Sequence, residues 1–122
     1  MEQVLVHNRT RDTVVAEMAG LADGYFTRLR GLIGRRGLRL GEGLVIRPCS
    51  SIHTFFMSFP IEVLFVDEGN RVVLATQPIA PWRIAPIVPS ARYVVELPAG
   101  AVSASQTMHG DILEVVPCGQ AR

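Results

Sequence analysis

Apolar and polar positions along the chain change period several times, and each change marks an element. Residues 4–7 and 13–17 are short runs rich in β-branched side chains, separated by the polar 8–12, the pattern of a first antiparallel strand pair. From Asp23, a residue suited to capping, the spacing becomes helical. Phe26, Leu29, Leu32 and Ile33 recur on one face until Gly34 and Gly37 end the run, which predicts a short helix over 24–33. Beyond the glycine-rich 37–43, strand patterns return at 44–47, 52–56 and 61–66. The last of these leads into Asp67-Glu68-Gly69-Asn70 and then 71–76, the pattern of a hairpin on a four-residue turn.

Pro78, Pro81, Pro86 and Pro89 then place half of the chain's eight prolines in one short stretch, which excludes regular structure there. Residues 92–97 read as strand, and the small-residue-rich 98–106 as one or two helical turns opened by Pro98. A closing strand at 112–116 follows the turn His109-Gly110-Asp111. Roughly eight short strands with closely spaced turn signals predict a mainly β fold, α+β at most. The expected architecture is a small antiparallel β-barrel or sandwich with one or two short helices. A parallel βαβ sheet is disfavoured, because helical patterns do not alternate with the strands.

A length of 122 residues supports one domain, 1–122. With 48% hydrophobic and 19% charged residues the chain can bury a core, which excludes intrinsic disorder. Twelve basic residues against eleven acidic ones leave a net charge of +1, so no global field draws the chain to nucleic acid or an anionic membrane. The polar N-terminal residues lack the apolar run of a signal peptide, and Glu62, Asp67 and Arg71 interrupt the most apolar stretch before it could span a bilayer. A cytoplasmic location is expected, with export only if a leader had been removed. Cys49 and Cys118 are then expected as thiols without a disulfide.

Several groups could carry chemistry. Cys49, His53 and Met57 recur every four residues and would suit a soft metal, but they lack the fourth ligand of a structural zinc site, so no metal and no cofactor are expected. Cys49 with His53 is the close pair for a small hydrolase or thiol-dependent enzyme, with Arg47 able to contribute positive charge. All twelve basic residues are arginines, and Arg28, Arg30, Arg35, Arg36 and Arg39 crowd around the predicted helix end. They either complement the helix dipole or form an anion or RNA site. No aromatic residues interleave with them to stack bases, so nucleic acid is not the expected partner.

The words Arg30-Gly31-Leu32, Ile52-His53-Thr54-Phe55-Phe56-Met57 running into Pro60-Ile61-Glu62-Val63 and Phe65, Glu96-Leu97-Pro98-Ala99-Gly100 and Gly110-Asp111 occur in this order. In them the chain resembles the bacterial and archaeal domain of unknown function 192 family. The resemblance implies a compact β-rich single domain and no established biochemical role. Glu62 stands where that family usually carries Asp, and Ser58 where a basic residue is common.

The expected function is that of a binding module for a small polar ligand or a peptide, with a small enzyme and an anion or RNA binder as alternatives. No catalytic residue is assigned. The candidate surface lies where 52–62 meets the loop 78–89, with His53, Glu62, Trp82 and Arg83 near one another and Arg30 or Arg47 as further ligand-binding candidates. The prolines limit the loop's freedom, so it can hold the single tryptophan, Trp82, as a recognition plate at low entropic cost. A buried Glu62 would draw its partner from Arg30, Arg47 or Arg83, and the competing reading is that Trp82 and Phe56 pack as core and Arg83 merely neutralises Glu62.

Overall fold

A computed structural model of the chain describes residues 1–119. Its elements run β1 (Gln3–Asn8), β2 (Thr13–Ala22), α1 (Tyr25–Arg30), β3 (Glu42–Ile46), β4 (Ile61–Asp67), β5 (Val72–Ala75), β6 (Ala91–Pro98), α2 (Ala101–Ala104) and β7 (Leu113–Pro117). The seven strands form one sheet in the order β5-β4-β6-β3-β2-β1-β7. All neighbours pair antiparallel except β2 and β3, which run parallel and are joined through α1. The sheet curls until its two edges touch, where Arg71 bridges Ile112 and the Val72 amide donates to the Asp111 carbonyl at 2.8 Å. The fold is a mostly β half-barrel with two short helices.

Alternation along the strands divides the apolar residues between two faces. One core draws on all seven strands, including Val6, Val15, Val45, Leu64, Val72, Val95, Leu97 and Leu113, and fills the inside of the curl. The second lies on the opposite face of β3, β4 and β6. There Leu44, Ile46, Val63, Phe65 and Val94 are covered by the connecting segments through Leu32, Met57 and Ala85. Phe65 has no exposed surface, and burial of a side chain of that size stabilises by about 1.5–3 kcal/mol.

The hairpin β4–β5 forms as its pattern predicts. Asp67 Oδ1 accepts from the Gly69 and Arg71 amides at 2.9 Å each, and Asn70 takes the left-handed conformation its side chain tolerates. Three expectations need correction. Residues 52–56 form no strand. Only His53 bridges to Ile84, while the Met57 amide turns back to the Thr54 carbonyl and Phe56 adopts φ +66°, so alternation there reflects a loop and not a ladder. The helix ends at Arg30, because Gly31 takes φ +53° and its amide closes on the Thr27 carbonyl. Its apolar positions do not face the core: Phe26 is 78% exposed, and only Leu32, beyond the helix, is buried. Finally, Pro98 ends β6 opposite Ile61 instead of opening a helix; α2 starts after Gly100.

Candidate functional site

β6 is the strand that delivers an acid to an apolar place. Its register sets Glu96 opposite Leu44 on β3 and Val63 on β4, so the side chain shares the outer face with Phe65 and Val94. Close approach of β3 and β6 at this point depends on Gly43, where a Cβ would lie 2.9 Å from the Glu96 carbonyl oxygen. Glu96 is only 3% exposed, and its Oε1 has no hydrogen-bond partner. Burial pushes its carboxyl up to about 8, so at neutral pH it is mostly the protonated acid.

The carboxyl lies against a cleft of about 290 Å³ lined by α1, by the chain through Gly31 and Leu32, and by the segment from Pro48 to Met57. Gly31 backs directly onto the carboxyl: a Cβ on it would come within 3.9 Å of Glu96 Oε1. Arg28 reaches across from α1, its Nη1 donating to the Pro48 carbonyl at 3.3 Å, and its buried Nε has no partner. Among the described residues three buried side-chain polar atoms are orphaned, and two of them, Arg28 Nε and Glu96 Oε1, belong to this cleft. Such atoms are expensive to leave unpaired in a structure that serves only stability.

Cys49, His53 and Met57 all line the same cleft. Burial pushes the Cys49 thiol up, and it donates to the Ser51 carbonyl at 3.0 Å, so it rests as a thiol and not as the thiolate a nucleophile requires. His53 Nδ1 accepts from the Phe55 amide at 3.1 Å, which in the neutral ring leaves the proton on Nε2. Cys49 and Cys118 are both free. Among the described residues no group of three or more His, Cys, Asp or Glu side chains could hold a metal ion.

The junction of 52–62 with the proline loop does bring His53, Trp82 and Arg83 together. His53 stacks on Phe55 at 4.8 Å between ring centroids, Phe55 lies 6.1 Å from Trp82, and Trp82 lies 4.7 Å from Phe56. Thr54, fully buried, fastens this junction. Its hydroxyl donates to the Ala80 carbonyl at 2.7 Å and accepts from the Arg83 amide at 2.9 Å, while its carbonyl accepts from the Trp82 amide. Trp82 is 54% exposed, which removes the reading of it as core. Phe56 and Trp82 both hold positive φ, a costly conformation for bulky residues.

Glu62 does not join them. It faces the inner side of the sheet, 7% exposed, and its Oε1 accepts from the Val102 amide of α2 at 2.9 Å. Among the described residues it has no arginine partner, because alternation sends it to the face opposite the cleft. Arg30 lines the cleft, its Nε donating to the Ile33 carbonyl at 3.5 Å. Arg47 is exposed at the end of β3 and lines no part of it. The arginine cluster is therefore spread over two depressions, with Arg28 at the cleft, Arg35 at a second depression beside Gly43, and Arg30 lining both. Sequence reasoning did not single out Glu96 or Arg28 individually. The available signal for Glu96 was one acidic residue inside an otherwise apolar strand run, a position that demands an explanation.

Among the described residues no helix is long and apolar enough to cross a membrane. Two solved structures share the fold. A protein of unknown function from Novosphingobium aromaticivorans superposes with a TM-score of 0.78 over 92% of this chain and 83% of that one, at 21% identity. A protein from Sinorhizobium meliloti gives 0.77 over 93% and 92%, at 22% identity. The UPF0127 protein of Thermococcus gammatolerans is 33% identical over 89% of this chain and 73% of its own length. That of Pyrococcus horikoshii is 36% identical over 75% and 81%. Residues 5–115 match the domain of unknown function 192, described as an uncharacterized ACR. The chain belongs to this family.

Proposed function

We propose that the protein is a binding module whose ligand enters the cleft between α1 and the segment 48–57 and is recognised by the Glu96 carboxyl. The observation that carries this reading is the orphaned carboxyl of Glu96 beside an open, largely apolar cleft. Leu29, Leu32, Ile33, Ile52 and Met57 supply apolar contact, and Arg28 and Glu96 supply the few polar groups that fix orientation. The volume is close to that of about ten waters, which suits a small molecule or a single side chain or terminus of a peptide.

Turnover has weaker support. A carboxyl with raised proton affinity is a candidate general acid, but Cys49 is held as a thiol and among the described residues makes no hydrogen bond to His53. Binding needs only the groups already in place.

The test is a nuclear magnetic resonance titration of isotope-labelled protein against a library of small amphipathic molecules. Binding at the cleft shifts the backbone amides of Arg28, Gly31, Cys49 and Glu96, and Glu96→Leu weakens it while Glu62→Gln does not. Ligands that move only Val102 to Met108, around Glu62, would place recognition on the other face and defeat the reading.

A further inference from the structure

The two orphaned atoms of the cleft differ in what they ask of a ligand. Arg28 Nε can only donate, and its guanidinium is always charged. Glu96 as the neutral acid donates one hydrogen bond and also accepts. Among the described residues the two do not form an ion pair with each other, nor does either pair with another charged group. Among the described residues Glu96 is the only acidic side chain lining the cleft, whereas Arg28 and Arg30 both line it. The cleft therefore carries net positive charge and two unpaired polar atoms that can donate, Arg28 Nε and the Glu96 carboxyl, with Cys49, Ser51 and His53 as further polar groups in an otherwise largely apolar lining.

We infer that the cleft selects a small monocarboxylate with a short apolar body, its carboxylate accepting from both Arg28 Nε and the Glu96 carboxyl. This rests on the proposed binding role of the same cleft and adds the ligand's chemical class. An anionic oxygen pair matches both donors and makes charge-assisted hydrogen bonds with each. A neutral amide would satisfy Glu96 but leave the guanidinium without a counter-charge, and an amine would place like charge beside Arg28 and Arg30. The apolar body packs along Leu32, Ile46, Ile52 and Met57. Both orphaned atoms are shielded from bulk water, so the ligand must part the cleft slightly; α1 buries none of its side chains and can yield without disrupting the core.

The carboxylate could come from a free acid or from the C-terminus of a peptide, and the test separates these sources. Labelled protein at about pH 6.5, where Glu96 retains its proton, is titrated with 3-phenylpropionate, 3-phenylpropionamide and 3-phenylpropylamine. Two further probes are a tripeptide ending in phenylalanine with a free C-terminus and the same peptide amidated. The carboxylate is expected to bind at least about tenfold more tightly than the amide or the amine, as loss of a charge-assisted hydrogen bond implies. Its shifts fall on Arg28, Gly31, Cys49 and Glu96. Arg28→Gln removes most of that preference, whereas Glu96→Gln, which keeps a donor, retains it. Tighter binding of the free-ended peptide than of the free acid identifies a chain terminus as the source, and the reverse identifies a free acid. An amide or amine that binds the cleft as well as the carboxylate overturns the ligand class and leaves the binding role standing. Binding confined to the α2 face, or to no face, overturns both. The ligand series on the unmodified protein decides the matter even if a variant fails to fold.

Discussion

Glu62 and Glu96 lie on directly paired strands, yet their carboxyls leave opposite faces of the sheet. The register sets Glu62 against Leu97 and Val63 against Glu96. With a side-chain period of two, a one-residue offset is enough to send two acids to different environments. Glu62 finds the Val102 amide of α2, and Glu96 finds no partner in the second core. One acid holds a helix to the sheet, and the other, among the described residues, stays unpaired.

Glu96 should make stability fall as pH rises. Its carboxyl is raised to about 8 in the fold by burial, above the ordinary carboxylate value of the unfolded chain. The unfolded state therefore gives up a proton that the native state keeps. The contribution is fully present below the unfolded value and is lost as pH rises through the folded one, at up to about 1.4 kcal/mol per pH unit. Urea unfolding at a series of pH values between about 5 and 9 should show this decline in the natural protein and a much flatter profile in Glu96→Gln. A parallel decline in the variant would show that some other group is responsible.

Thr54→Val keeps the volume of a fully buried residue but removes the hydroxyl that serves Ala80 and Arg83. Two loop groups then lose their partner, at a cost of about 1–3 kcal/mol. Trp82 should become more mobile, read as a drop in fluorescence anisotropy and a shift in its emission. Unchanged tryptophan emission together with unchanged stability would mean that the prolines alone hold the loop.

Gly43→Ala places a Cβ 2.9 Å from the Glu96 carbonyl oxygen, where backbone has to move. The substitution should lower stability by about 1–3 kcal/mol, the range for overpacking in a tight core. It should also displace the Glu96 and Leu44 amide resonances more than those of β1 and β7. Gly31→Ala differs in kind, since its Cβ has room and the cost arises from φ +53°.

Asp111 anchors the approach to β7 through a buried polar group. Burial by itself raises its carboxyl, but donors outweigh that effect and hold it below the ordinary value: Asn8 Nδ2 at 3.0 Å, Arg11 Nε at 3.1 Å and the Met108 amide at 2.9 Å. Its contribution is present above the unfolded carboxylate value and is lost as pH falls through the folded one. Asp111→Asn should cost about 1–3 kcal/mol at neutral pH and reduce the further loss of stability between about pH 4 and pH 2. Circular dichroism across an acid titration measures both.

The sequence by itself determined the mainly β fold, the hairpin β4–β5 and the irregular proline loop, because alternation, turn chemistry and proline act over a few residues. It also marked the meeting of His53, Trp82 and Arg83, because prolines limit the loop's conformations, but it placed Glu62 with them, which strand register sends to the opposite face. The cleft was not legible in the same way. The period of Phe26, Leu29, Leu32 and Ile33 predicted a helix over 24–33, but Gly31 ends α1 at Arg30 and the apolar side chains within it stay outside the core. Whether Glu62 or Glu96 is left unpaired depends on which neighbours cross-strand register and α2 bring to each. Those neighbours are between about 33 and 52 residues away along the chain, and only tertiary structure assembles contacts at such separations.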